Sequence, residues 1–397
     1  MTPLYDALRK YKRVKARFHM PSHGGKGRFP QSARLYASAP FDVTELSFSD
    51  VLAYSNGVIA EAETLAAEAY GAEKTLFFAS GATDAVRTAL LTLRDKRIAC
   101  VGDMHKCFHS AARLFSLDMT FLSTLDEVEK GAFDALCVTS PDYYGRVRPI
   151  AEIAAFCKEK GLLLLVDEAH GAHFAFSSLL PESAVKYADL VVHGAHKTLP
   201  VYTGGAMLHV KEPFYERARE ARAEAIGTSP SYLVMASLDC ARELFQRKGE
   251  KYYASLKRRI DRVKRKYPSV AVDPADDFTR VVIRRENAGQ ALAAALEKKG
   301  IYVEASDDSR VVLIVTPFNA RDLGRAFRVA STFDGKNAEY PELSDIIGKV
   351  SAYDIGVYPP GVPLVRTGEI ITAEKAEILR KNLDRLFGTI NGKIVTR

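Results

Sequence analysis

Between residues 75 and 210 the chain repeats one pattern. A short run that is apolar throughout is followed by an amphipathic or turn-rich stretch, then by another apolar run. The runs are TLFFA (75–79), IACV (98–101), MTFLS (119–123), ALCVT (135–139), LLLLVD (162–167), LVVH (190–193) and AMLHV (206–210). A strand with one wet face alternates polar and apolar residues; these do not, so both faces must be covered. Helical stretches lie between most of them. GATDAVRTALLTL (81–93) puts Ala82, Val86, Ala89, Leu90 and Leu93 on one face, and IAEIAAFCKEK (150–160) also reads as a helix. Apolar strands spaced by helices predict an α/β architecture, with a mostly parallel large-domain sheet between helices.

Residues 231–267 read as one long helical region, interrupted or bent near Gly249. The pattern then becomes less regular. A strand at 281–285, a helix at 288–299, strands at 301–305 and 311–315, and a helix from 320 predict a second, smaller α/β unit. A chain of 397 residues is long enough for two such domains. No apolar run is long enough to span a bilayer. The basic N-terminus lacks the apolar segment of a secretion signal, so no membrane association and a cytoplasmic location are expected. The formal charge is +7, with basic clusters at 10–17 and 257–266. Without interleaved aromatics or zinc spacing, these clusters read as solvated helix faces rather than a nucleic-acid surface. The five cysteines are scattered, and none forms CxxC. They read as reduced residues, three of them in apolar surroundings, rather than as staples or ligands.

A doubly wound sheet binds ligands beyond the carboxyl ends of its strands. After TLFFA, Ser80-Gly81-Ala82-Thr83 opens a helix. Its backbone N–H groups and dipole suit an anion; Ser80 or Thr83 could equally serve as an ordinary cap. After ALCVT comes a turn with two phenols, SPDYYG (140–145). After LLLLV comes DEAHGAH (167–173). An acid ending a buried strand needs a cationic or protonated partner. A metal held by Asp167, Glu168, His170 and His173 is one possibility. The DEAH string also occurs in helicase ATPases, but the chain has no GxxxxGK[ST] phosphate loop.

After LVVH comes GAHK (194–197). Lys197 could snorkel to the surface. Alternatively, one ligand gives every strand end a partner. Pyridoxal phosphate has a phosphate for the helix start, a ring nitrogen for Asp167 and an aldehyde for Lys197.

The blocks around these residues resemble, in order, the pyridoxal-phosphate-dependent Orn/Lys/Arg decarboxylases of the bacterial, aminotransferase-like type (fold type I). They are FHMPSHGGKGR (18–28), DVTELSFSDVL (42–52), EAETLAAEAYGAEKTLFFASGAT (61–83), HKCFHSA (105–111), TSPDYYG (139–145), VDEAHGAH (166–173), HGAHKTL (193–199), GTSPSYLVMASLD (227–239) and YDIGVYPPGVPLVRTGE (353–369). The length matches the short form without a wing domain. The resemblance implies an N-terminal segment near the active site (1–60), a large cofactor domain (61–250) and a small C-terminal domain (251–397).

The resemblance also implies site roles. Lys197 bonds the cofactor aldehyde, Asp167 pairs with the ring nitrogen, and His105 stacks on the ring. Ala169 and His170 lie beside the cofactor. Ser80, Gly81, Ala82, Thr83 and His196 surround the phosphate, which Thr228 reaches from the neighbouring subunit of a homodimer or higher oligomer. Glu369 takes the distal cation of a basic amino acid, with Tyr144, His19 and His23 also lining the substrate site and Lys26 helping to close it. The expected reaction is decarboxylation of lysine, ornithine or arginine to the amine, with a role in polyamine formation. The alternatives are another reaction on the same cofactor, such as transamination or elimination, or a catalytically weak regulatory relative. No metal is expected. Two departures stand out: Gly194 replaces the family's usual serine, removing a hydroxyl, and Gly204 stands where the family has glutamine.

Overall fold

The computed structural model describes residues 1–13, 17, 20–23, 25, 35–129, 131–335, 343–358, 361–390 and 393–396. The chain forms two compact units. One comprises Met1–Gly102, Ala111–Asp142 and Val147–Tyr253; the other comprises Asp103–Ser110, Tyr143–Arg146 and Ala254–Arg397. The described part of residues 1–60 clusters with the first unit.

The elements up to the long helix are α1 (Pro3–Tyr11), α2 (Val58–Tyr70), β1 (Lys74–Phe78), α3 (Ala82–Thr92), β2 (Ile98–Val101), α4 (Lys106–Leu114), β3 (Met119–Leu122), α5 (Asp126–Glu129), β4 (Ala135–Thr139), α6 (Ile150–Lys160), β5 (Leu163–Asp167), β6 (Leu190–His193), β7 (Ala206–Val210), α7 (Tyr215–Ala225) and α8 (Tyr232–Lys266). The seven strands form one sheet in the order β1-β7-β6-β5-β4-β2-β3. The β2, β3, β4, β5 and β6 strands are parallel, and β7 runs antiparallel to both β6 and β1. The carboxyl ends of β1, β4, β5 and β6 therefore share one edge of the sheet. The apolar runs are buried as their composition requires. Ala99, Val101, Leu136, Val138, Leu164, Val166 and Val191 pack with Ile150, Ile153 and Cys157 of α6 in one core.

The helix α8 is continuous over 35 residues, so the expected interruption at Gly249 does not occur. A Cβ at Gly249 would stand 2.6 Å from the carbonyl oxygen of Phe176. This glycine marks a close approach of two backbones, not a helix break.

The second unit contains β8 (Arg280–Arg284), α9 (Gly289–Glu297), β9 (Ala305–Ser306), β10 (Arg310–Ile314), α10 (Leu323–Thr332), β11 (Ile355–Val357), β12 (Pro363–Val365), α11 (Ala373–Arg380) and β13 (Leu386–Phe387). They form two antiparallel three-stranded sheets, β8-β10-β9 and β12-β11-β13. The strand expected at 301–305 shrinks to Ala305–Ser306, where pairing with Val311 and Val312 sets its length. Ile346, Ile355, Val365, Ile371, Ala376 and Leu379 form a core of their own.

Candidate active site

Strands β5 and β6 are parallel neighbours, with Asp167 opposite Val192. The acid ending β5 and the turn leaving β6 therefore emerge side by side. That turn is tight: the Lys197 N–H donates to the Gly194 carbonyl at 2.8 Å. Lys197 Nζ lies 3.2 Å from His170 Nε2. Asp167 is buried, and its Oδ1 accepts the Ala169 N–H at 3.1 Å. Burial pushes the Asp167 pKa up, while the positive charge of Lys197 and the Ala169 N–H oppose the rise. An acid, an amine in its field and an imidazole touching that amine thus meet at the carboxyl edge of the sheet.

Gly194 has a steric role here. A Cβ at this position would stand 2.9 Å from the Ala169 oxygen and 3.1 and 3.2 Å from Cδ and Cε of Lys197. The lysine stem lies where a side chain at 194 would be. His196 is fixed by two bonds to one acceptor: its backbone N–H and its ring Nδ1 both reach the Gly205 carbonyl, at 3.0 and 2.9 Å.

At the end of β1, Gly81 precedes α3 with φ +98, and among the described residues no atom beyond its chain neighbours lies within 4 Å of the position its Cβ would take. Its N–H donates to the Gly204 carbonyl at 2.7 Å. A Cβ at Gly204, which has φ +102, would stand 2.7 Å from the Ala79 oxygen, so no larger residue fits there without a shift. The helix has no side-chain cap at Gly81. The Ser80 hydroxyl instead bonds Asp84, which also holds Arg87 at 3.0 Å. Sequence reading did not single out Asp84, a carboxylate in the first turn beside this opening.

The remaining expected residues are placed as follows. In the first unit, His23 contacts Asp42 at 3.2 Å and accepts the Gly25 N–H at 3.0 Å. Thr228 is exposed between α7 and α8. His19 and Lys26 lie outside the described residues. In the second unit, His105 Nδ1 accepts the Cys107 N–H at 3.2 Å. Gly361, with φ +82, approaches the other edge of that ring so closely that a Cβ would sit 3.0 Å from Nε2. The Tyr144 hydroxyl donates to Asp307 at 2.7 Å, and its ring lies 4.5 Å beneath Arg310. Glu369 is ion-paired with Lys375 and accepts the Arg366 N–H at 2.8 Å. Burial alone would raise its pKa, but these partners outweigh it and hold the carboxyl below its usual range.

Among the described residues, no group of three or more His, Cys, Asp or Glu is arranged to hold a metal ion. The four candidates in the DEAHGAH stretch diverge. Glu168 turns to Ser183, Ala184 and His193, whereas His170 turns to Lys197. Among the described residues, no helix is long and apolar enough to cross a membrane.

A large, mostly parallel sheet between helices, with an acid and a lysine at its carboxyl edge, places the chain in the aminotransferase-like α/β class, fold type I. Solved structures of that class superpose on the chain. Lysine decarboxylase LdcF of Francisella novicida does so with a TM-score of 0.78 at 16% identity, covering 100% of this chain and 81% of its own. Serine palmitoyltransferase of Sphingomonas wittichii gives 0.58 at 19% identity, covering 72% and 80%. In sequence, YaaO of Bacillus subtilis, itself uncharacterized, is 31% identical, covering 96% of this chain and 94% of YaaO. An arginine decarboxylase of Bacillus anthracis is 27% identical, covering 96% and 93%. The profile described as Orn/Lys/Arg decarboxylase, major domain, matches residues 2–124 and 120–279, and that of the C-terminal domain matches 326–383. The chain belongs to the Orn/Lys/Arg decarboxylase family, a family of amino acid decarboxylases.

Proposed function

We propose that this protein decarboxylates a basic amino acid (lysine, ornithine or arginine) with pyridoxal phosphate as cofactor, releasing carbon dioxide and the corresponding amine. One observation carries the reading: Lys197 Nζ lies 3.2 Å from His170 and within the field of buried Asp167 at the carboxyl edge of the sheet. The names of relatives support the substrate class, since they include arginine decarboxylases and lysine decarboxylases.

The residues fit the cofactor. Asp167 is a buried acid whose ionisation is eased by the Lys197 charge and the Ala169 N–H, and burial outweighs both. A protonated ring nitrogen would supply the missing compensation. The space beside Gly81 would receive the phosphate at the start of α3. Lys197 would bond the aldehyde, with His196, Ala169 and His170 around it and His105 on the ring. When bound, the cofactor supplies an aldehyde that captures an amine and a ring that accepts the electron pair left by departing carbon dioxide.

The chain's own residues do the rest. Asp167 would stay ionised facing the cofactor's ring cation, and its burial removes water that would weaken that attraction. Lys197 Nζ and His170 Nε2 form a pair across which a proton can move, and either can return it to the substrate carbon. Glu369 would select the distal cation by exchanging its Lys375 partner for the substrate's head group. We propose further that the active form is a homodimer or higher oligomer in which Thr228 reaches the neighbouring subunit's phosphate.

The test is a panel of basic amino acids offered to the purified protein with cofactor. The expected result is carbon dioxide and one amine from one substrate. A keto acid instead of carbon dioxide would assign transamination, and no turnover would point to a non-catalytic relative. Lys197→Ala should lose turnover together with the borohydride-trappable cofactor adduct. Survival of that adduct would overturn the assignment.

A further inference from the structure

On the face of the sheet away from Asp167, four polar side chains form a continuous buried line. Each comes from one of four adjacent strands or its end. Thr75 on β1 faces His209 on β7 in direct register, and their side chains meet at 2.8 Å, Oγ1 to Nδ1. His209 Nε2 lies 2.9 Å from His193 Nδ1 on β6. His193 Nε2 lies 2.6 Å from Oε2 of Glu168, the residue that follows Asp167 at the end of β5. All four are at most 2% exposed. At the inner end the Ser183 hydroxyl and the Ala184 N–H also bond Glu168. At the outer end Thr75 lines a cavity of about 110 Å³ bordered by exposed Thr64, Glu68 and Glu73. That is room for several waters.

We propose that Thr75, His209, His193 and Glu168 form a proton relay joining the cavity at the sheet edge to Glu168, and that Glu168 holds the proton so that no second negative charge stands beside Asp167. The relay rests on its own geometry; its service to Asp167 rests on the cofactor reading above.

Two arrangements satisfy every contact with both imidazoles neutral. In one, Thr75 donates to His209, His209 to His193, and His193 to a Glu168 carboxylate. In the other, a protonated Glu168 donates to His193, His193 to His209, and His209 to the Thr75 oxygen. One proton converts the first into the second. Thr75 takes it from protonated water in the cavity, which is left neutral, and passes its own hydroxyl proton to His209 Nδ1. His209 releases the Nε2 proton to His193 Nδ1, and His193 releases its Nε2 proton to Glu168. The line gains one proton, and each ring exchanges the nitrogen that carries hydrogen.

The surroundings favour the protonated arrangement. Burial pushes the Glu168 pKa up to about 8, although Ser183, Ala184 and the His173 charge oppose the rise. Burial and His173 push His193 down to about 3, and burial and His193 push His209 well below its ordinary value. Both partners of the Glu168–His193 contact thus agree that it is a neutral hydrogen bond, not an ion pair. Of the titratable neighbours, His173 is the one whose positive charge reaches both Glu168 and His193, and it does not outweigh burial at Glu168. The Tyr70 ring from α2 packs on both imidazoles, its hydroxyl pushed up by burial and donating to the Ala172 carbonyl. His173 packs against Tyr253 of α8, and Glu63 of α2 is tied to Arg222.

The experiment is a pH titration of the full chain labelled with nitrogen-15 in its histidines, read by long-range proton–nitrogen NMR with and without cofactor. The expected result is that His193 and His209 exchange tautomer together at one midpoint near pH 8, neither ring becoming cationic there, in both preparations. Glu168→Gln should abolish that midpoint and hold both rings in one tautomer. Thr75→Val should also abolish it, and Thr75→Ser should restore it. If Glu168→Gln does not fold, the two Thr75 variants decide. Independent titration of the rings, one fixed tautomer from pH 5 to 9, or an unchanged midpoint in Thr75→Val overturns the relay. A relay intact in cofactor-free protein that binds no pyridoxal phosphate would refute the functional reading and leave the relay standing.

Discussion

Replacing Gly194 by alanine should loosen the turn that carries Lys197. The added methyl carbon would lie 2.9 Å from the Ala169 oxygen and 3.1 and 3.2 Å from Cδ and Cε of Lys197. Carbon atoms rest best at about 3.5–4.0 Å, so the lysine stem must retreat by a few tenths of an ångström. The Ala169 oxygen has less freedom. It accepts the Gly194 N–H at 3.1 Å, and moving it weakens that bond. Overpacking of this kind costs about 1–3 kcal/mol, and each kcal/mol lowers the melting temperature of a domain of this size by about 2–4 °C. The displaced stem should also lose the 3.2 Å contact between Nζ and His170. Thermal unfolding and borohydride trapping at Lys197 measure the two effects. Gly194→Ser carries the same carbon and should lose similar stability, whatever its hydroxyl contributes to a phosphate. An alanine variant that melts with the wild type and traps cofactor in full would refute the steric account.

Other outcomes follow from buried charge. In the native chain Glu168 titrates at about 8 against an ordinary 4.5, so its contribution to stability is full below pH 4.5 and is lost as pH rises to about 8. His193 titrates at about 3 against 6.5, so its contribution is full above pH 6.5 and is lost as pH falls toward 3; His209 acts in the same direction. The three together place the maximum near pH 6.5, with slopes of up to about 1.4 kcal/mol per pH unit per group. In denaturant titrations across pH, Glu168→Gln should flatten the alkaline limb and steepen the acid one above about pH 4.5, where the Glu168 loss partly offsets the histidine gain. Glu63→Ala removes the carboxylate that Arg222 pairs with and that accepts the Ser55 hydroxyl at 2.7 Å and the Phe77 N–H at 2.8 Å. It leaves a fully buried guanidinium uncompensated, so urea unfolding should show a loss of about 3–5 kcal/mol.

What the sequence determined by itself was local or nearly so. Runs apolar on both faces allow a covered sheet and little else, and the strands from Lys74 to Val210 formed where those runs lie. That Asp167 and Lys197 emerge side by side was legible because each stands at or just beyond the end of a strand, and parallel neighbours bring such ends together. The family blocks recur in order, which made the family legible too. Tertiary structure decided the rest. Gly249 read as a break because sequence does not show the Phe176 backbone pressing on it. Glu369 and Tyr144 read as open to a substrate, and the fold gave them Lys375 and Asp307. Thr75, His193 and His209 drew no assignment, since 134 positions separate Thr75 from His209 and their meeting depends on the register of β1 against β7. A strand's polarity is written in its own residues, but which residue stands opposite is fixed by how the whole sheet packs.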